Sequence, residues 1–150
     1  MDPALRKYKV AFICTKNAFR SQIAEGFAKA LAGDIMEPSS GGSEPADRVD
    51  TVAVEVMAES GVDISSSRPK SLPDSFLSSL DLIVQMGCGP AKTCLSFPGV
   101  PSEDWGIPDP SGSLEDARAV RDTIKERVVQ LAARLRSGKV VAEPEFKLEL

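Results

Sequence analysis

A cysteine, five residues, then an arginine and a serine run through Cys14-Thr15-Lys16-Asn17-Ala18-Phe19-Arg20-Ser21. These residue types at this spacing suit nucleophilic attack on a tetrahedral oxyanion. The attacking species would be a thiolate. A turn whose backbone N–H groups converge with a helix N-terminus favours both ionised sulfur and a bound anion. The helix end adds roughly 0.3–2 kcal/mol in favour of that charge. Arg20 brings a planar fork that can hold two oxyanion oxygens, which a lysine does not reproduce. Ser21 can donate its hydroxyl to the sulfur. Asn17 suits a left-handed turn position and can tie the loop through its amide. Taken alone, Cys14 reads as a core cysteine ending a strand. With Arg20 and Ser21 at this interval, in a strand–turn–helix setting, it reads as a nucleophile.

Two further groups could serve the same chemistry. In Trp105-Gly106-Ile107-Pro108-Asp109-Pro110 an aspartate precedes a proline that stiffens the chain. Transfer from a tetrahedral centre needs an acid for the departing oxygen, and Asp109 is the candidate, with Asp104 the weaker competitor. Cys88 and Cys94 flank a Gly/Pro-bearing loop. The chain has three cysteines and no histidine, so a tetrahedral zinc site is not expected. The interval is not that of a Cys-x-x-Cys redox pair. Two thiols beside an anion site nevertheless suit disulfide exchange.

These side chains need elements to place them. Residues 8–13 read as a buried strand and 21–32 as a helix with Ile23, Phe27 and Leu31 on one face, stopped by Gly33. A short strand at 35–39 is followed by a flexible Ser40-Gly41-Gly42-Ser43. Asp50 caps a helix that turns Val52, Ala53, Val56 and Met57 inward and ends at Gly61. A short helix at 74–79 and a buried strand at 80–86 come next. Residues 87–112 read as irregular, and loops of that length are usually functional. Ser113 caps a last helix carrying Ala117, Val120, Ile124, Val128, Leu131 and Leu135 on its apolar face. The alternation of strand and helix predicts an α/β fold with a parallel sheet covered on both faces. Its ligand site would lie at the carboxyl ends of the strands. Cys14 and Cys88, 74 positions apart, each follow a predicted strand, so adjacent strands would put both on one rim. Residues 1–138 are expected to form a single catalytic domain, with 139–150 a loose tail.

Composition narrows the partners. Of 150 residues, 42 % are apolar and 27 % charged, which suffices for one domain with its own core. A net charge of −4 argues against nucleic acid or an anionic membrane, while leaving room for a small anion at a local basic site. No targeting or spanning segment is apparent, and an odd count of three cysteines suits working thiols in the cytoplasm better than a secreted scaffold.

The 14–21 loop, the following Gln22-Ile23-Ala24-Glu25-Gly26, the Cys88/Cys94 pair and the 105–110 segment resemble arsenate reductases of the low-molecular-weight protein tyrosine phosphatase superfamily, thioredoxin-coupled type. The likeness spans roughly residues 8–135. It implies a flavodoxin-like three-layer sandwich around a four-stranded parallel sheet. It implies that arsenate binds the loop of Cys14, Thr15, Lys16, Asn17, Ala18, Phe19, Arg20 and Ser21. Cys14 would then attack arsenic while Asp109 protonates the leaving hydroxide. Cys88 would attack Cys14 to release arsenite, Cys94 would attack Cys88, and thioredoxin or a similar thiol reductant would reduce the final Cys88–Cys94 disulfide. No bound cofactor and no metal are implied, and a monomer is expected. Asn17, Glu25 and Asp63 resemble positions that support a monovalent cation in some relatives.

The pattern also departs from the family. Lys16 stands where glycine is usual and adds charge at a position that could need positive φ. Phe19 replaces a small residue or cysteine, and Leu95 follows Cys94 where proline is common. Two alternatives remain. A phosphotyrosine phosphatase would use Cys14, Arg20 and Asp109 alike, but would leave the cysteine pair without a role and would often carry tyrosines where Ser111-Gly112 stand. A non-catalytic oxyanion or redox sensor would need the loop and not Asp109.

Overall fold

Four consecutive apolar residues, Val10 to Ile13, make the first strand a central one. They are completely buried in β1 (Tyr8–Ile13). The computed structural model describes residues 7–87 and 97–141. Through these run α1 (Arg20–Ala32), β2 (Met36–Gly41), α2 (Thr51–Glu59), α3 (Asp74–Leu77), β3 (Leu82–Gln85), β4 (Ser102–Asp104) and α4 (Leu114–Arg136). All strand pairs are parallel, in the order β2-β1-β3-β4. This is the expected four-stranded parallel sheet.

Alternation along the strands separates two cores. Val10, Phe12, Leu82 and Val84 join the large cluster formed with α1, α2 and α4. Ala11, Ile13 and Ile83 point the other way, onto Leu72, Leu77 and Leu80 around α3. The sandwich therefore has three layers, one much thinner than the other. Burial of each large side chain contributes about 1.5–3 kcal/mol.

Helix ends follow local chemistry. Asp50 accepts a hydrogen bond from Val52 N–H at α2, and Ser113 accepts one from Asp116 N–H at α4. Asp116 turns its own carboxylate to Ser111 N–H instead of completing a reciprocal box with Ser113. The apolar faces expected for α2 and α4 are the faces they bury.

Three readings need correction. Leu31 is 44 % exposed, and Ala32 takes the buried place at the end of α1. Ser40 and Gly41 belong to β2, and residues 40–42 are buried, so that stretch is packed and not flexible. The irregular 87–112 stretch contains β4, which pairs Ile83 with Ser102 and Gln85 with Asp104. In the tail, the Val140 carbonyl accepts from Arg134 and its side chain packs against the large core. Residues 142–150 lie outside the described residues.

Candidate active site

In a parallel sheet the crevice opens where successive connections leave in opposite directions. Here β1 runs to β2 on one side and stands beside β3 on the other, with Ile13 opposite Gln85. The loop after β1 and Gly87 after β3 therefore share one rim. Met86 N–H donates to Ile13 C=O at 2.8 Å, and Ile107 N–H donates to Met86 C=O at 2.9 Å. These bonds draw the segment after β4 to the same place.

Cys14 is 3 % exposed. Its Sγ receives Asn17 N–H at 3.2 Å and lies 2.9 Å from Ser21 Oγ. The proton in that second contact can be assigned. Lys70 N–H can only donate, and it meets Asn17 Oδ1 at 3.0 Å. The Asn17 amide nitrogen therefore faces Ser21 Oγ, donating at 2.7 Å. Ser21 accepts there, which leaves its hydroxyl hydrogen for Cys14 Sγ. Two donors thus converge on the sulfur, the arrangement that stabilises a buried thiolate. Asn17 adopts φ +50°, the left-handed conformation its short amide tolerates. Among the described residues it is the one non-glycine with positive φ, so Lys16 carries no such strain.

Arg20 is buried at the start of α1. Its Nη1 donates to three carbonyls: Met86 at 3.1 Å, Gly87 at 2.8 Å and Ile107 at 2.6 Å. This joins the oxyanion loop to the chain after β3 and to the segment that carries Asp109. Asp109 Oδ1 stands 2.9 Å from Arg20 Nε. The contact is off the N–H direction, so that N–H lacks an aligned acceptor. Cys14, Lys16, Phe19, Arg20, Asp50 and Asp109 line a cavity of about 370 Å³. Arg20, Gly87, Asp104 and Asp109 line an adjoining one of about 500 Å³. Gly87 needs its missing side chain: φ is +103°, and a Cβ would sit 3.2 Å from the Ile107 carbonyl oxygen.

Most of the expected residues meet here. Cys14, Arg20 and Asp109 line one space, with Thr15, Lys16 and Ala18 along its wall, and Asn17 and Ser21 meet it through their contacts with Cys14 Sγ. Phe19 both lines the cavity and packs into the large core. Asp104 lines the second cavity and caps Gly106 N–H at 2.8 Å. Cys88 and Cys94 lie outside the described residues. A pocket of about 380 Å³ between the start of α2 and residues 65–68 shares no lining residue with those two cavities and holds no cysteine.

Each of the three residues resembling cation supports has protein partners. Asn17 Oδ1 is occupied by Lys70 N–H and by Gln22 Nε2. The buried Glu25 carboxylate accepts Ser40 Oγ–H at 2.9 Å and pairs with Lys29 Nζ at 3.0 Å and Lys70 Nζ at 3.9 Å. Asp63 accepts from Ser65 N–H at 2.8 Å, and its hydrogen bonds to Ser65 hold its carboxyl below the usual value. Glu25 and Asp63 share a pocket with Lys29, and Asn17 does not line it. Among the described residues no group of three or more His, Cys, Asp or Glu could hold a metal ion.

Residue-by-residue reading missed the supports. Gln22 Nε2 reaches Asn17 C=O at 3.1 Å and Arg68 C=O at 3.3 Å. Trp105 stacks at a tilt on Phe12, gives its indole N–H to Glu103 at 3.0 Å, and accepts from Arg127 at its carbonyl. Arg134 pairs with that same Glu103. The tryptophan beside Asp109 was the available signal. Its partners on α4 had none, because their spacing is that of any solvated helix face.

The chain is similar to known proteins over most of its length. Residues 9–141 match the low molecular weight phosphotyrosine protein phosphatase family. The chain is 38 % identical over 130 residues to arsenate reductase 2 of Staphylococcus epidermidis, covering 85 % of this chain and 98 % of that protein. It is also 38 % identical, over 129 residues, to the glutaredoxin arsenate reductase of Synechocystis, with the same coverages. A solved structure of the Corynebacterium glutamicum thioredoxin-dependent arsenate reductase Cg_ArsC1′ superposes with a TM-score of 0.75 and 32 % identity, covering 89 % of this chain and 64 % of that one. With its Cys14–Ser21 loop at the β1/β3 crevice and a match over nearly its whole length, the chain belongs to the low-molecular-weight phosphotyrosine phosphatase family, among relatives that are arsenate reductases.

Proposed function

We propose that this protein is an arsenate reductase that works by a cysteine relay. The observation that carries the reading is the double-donor seat of Cys14 Sγ in a cavity that Arg20 and Asp109 also line. Arsenate would enter the 14–21 loop. The Cys14 thiolate attacks arsenic and forms an S–As bond while a hydroxide leaves, protonated to water by Asp109. Cys88 attacks Cys14 Sγ. An S–S bond forms, the S–As bond breaks, and its electron pair stays on arsenic, which departs as arsenite. Cys94 then attacks Cys88 and frees Cys14 as thiolate. An external dithiol, of thioredoxin or glutaredoxin type, takes up the resulting disulfide and is itself oxidised. Support for this order comes from the bond between Arg20 and the Gly87 carbonyl, in the residue that precedes Cys88, and from relatives with thioredoxin- and glutaredoxin-dependent names.

The cavity walls favour a free oxyanion over a large ester. Among the described residues the walls around Cys14 include Lys16, Arg20, Asp50, Asp109 and one aromatic, Phe19. Phosphatase activity is the secondary reading, because Cys14, Arg20 and Asp109 alone can take and release a phosphoryl group. Among the described residues no helix is long and apolar enough to cross a membrane.

Mass spectrometry after one arsenate turnover without reductant tests the relay. The intact chain should hold a Cys88–Cys94 disulfide, and Cys94→Ser a Cys14–Cys88 disulfide. Cys88→Ser should release no arsenite while keeping phosphatase activity. Full-rate reduction by a variant lacking both Cys88 and Cys94 overturns the proposal.

A further inference from the structure

Segment 41–50 runs along the 14–21 loop and is hydrogen-bonded to it, and its last residue, Asp50, also lines the cavity around Cys14. Glu44 N–H donates to Thr15 C=O at 2.9 Å, Ala46 N–H to Lys16 C=O at 3.0 Å, and Asp50 N–H to Ala18 C=O at 2.9 Å. Three loop carbonyls are thus taken up by the segment. Within the loop, Asn17 N–H meets Cys14 Sγ at 3.2 Å. Buried Gly42 stands near the start of this strap. It donates its N–H to Lys70 C=O at 2.9 Å, and Lys70 in turn donates to Asn17 Oδ1. A Cβ on Gly42 would lie 2.5 Å from Thr15 O, 2.8 Å from Cys14 O and 3.0 Å from Asn17 N. All three are backbone atoms, so no side-chain rotation relieves the overlap. The third is the nitrogen whose hydrogen points at the sulfur.

We propose that Gly42 is a positioning residue for the thiolate: its missing side chain lets segment 41–50 press against the oxyanion loop and hold the Asn17 N–H on Cys14 Sγ. This deepens the proposed function, since it concerns the same sulfur, yet its readouts do not require arsenate reduction. A failed relay would leave them intact.

The test uses a chain carrying Cys88→Ser and Cys94→Ser, in which Cys14 is the remaining thiol. Its rate of alkylation by iodoacetamide is followed against pH, with inorganic phosphate as the protecting anion. Adding Gly42→Ala should move the pH profile upward by about one unit, slow alkylation below the midpoint about tenfold, and weaken phosphate protection about tenfold. Val56→Ala, a cavity in the α2 core, serves as the stability control and should lower Tm without moving the profile. If Gly42→Ala is only marginally stable, thermal melts with and without phosphate read the same displacement. The rise in Tm caused by phosphate should shrink relative to the control. An unmoved profile, or an equal phosphate-induced rise, overturns the proposal, as does an equal shift in Val56→Ala.

Discussion

Cys14 and Asp109 face one cavity and are held in opposite ways. Cys14 is 3 % exposed, with two donors on its sulfur, and the loop around it is tied by bonds from segment 41–50. The Asp109 side chain is 74 % exposed and rests against Arg20 Nε. The difference fits the roles proposed for them, Cys14 as nucleophile and Asp109 as acid. A buried thiolate is costly unless donors already point at it, so the nucleophile's side is assembled before substrate arrives. An acid that hands a proton to a departing hydroxide also has to let water out, and an exposed carboxylate on a stiff Pro-flanked turn can do that. Arg20 belongs to both sides, because one nitrogen grips three carbonyls while another meets Asp109.

The residue shared by both halves should show the largest effect. Arg20→Lys would lose the fork and leave the Met86, Gly87 and Ile107 carbonyls with a poorer donor. We expect kcat/KM for arsenate to fall about 10²–10³-fold, together with a lower Tm. Steady-state kinetics and thermal melts check it, and a fall in activity without any loss of Tm would show that the two halves are not joined through Arg20. Asp109→Asn separates the halves. We expect kcat to drop roughly 10²–10³-fold while Tm and Cys14 alkylation stay nearly unchanged. If alkylation slows as well, the acid side also shapes the nucleophile and the contrast is wrong.

The smallest effect lies away from both halves. Glu59 joins α2 to α4 through Arg118 and Arg121, and its hydrogen bond to Arg118, then that to Arg121, lowers its carboxyl from 4.5 to about 2. A depressed carboxylate stabilises the fold above its unfolded value, and that contribution is lost as pH falls from about 4.5 towards 2. Acid denaturation followed by circular dichroism should therefore be shallower over that window in Glu59→Gln. The kcat/KM at neutral pH should not change.

Much of this was legible because local rules and the final fold agree. Val10 to Ile13 could only be an interior strand, Asp50 and Ser113 sit where their helices begin, and the Cys14–Ser21 spacing names its own chemistry. Where reading failed, the deciding contact was distant. β4 is three residues, Ser102, Glu103 and Asp104, with no apolar side chain to announce it. It is a strand because β3 lies beside it. Ser40-Gly41-Gly42-Ser43 has the composition of a flexible link, yet it is packed, since glycine there answers a close approach and not a need for mobility.

The amino-acid order alone determined the alternation of strand and helix, the apolar faces that must be buried, and a cysteine, an arginine and a serine on one turn. Those depend on neighbours a few residues apart, where spacing is geometry. Only the tertiary structure decided that Gly87 and Ile107 would anchor the arginine, that Lys70 would fix which way the Asn17 amide points and so which way Ser21 donates, and that Gly42 would lie under the loop. Those contacts join residues 25 to 87 positions apart, and a sheet order of β2-β1-β3-β4 brings them together with no trace in local spacing.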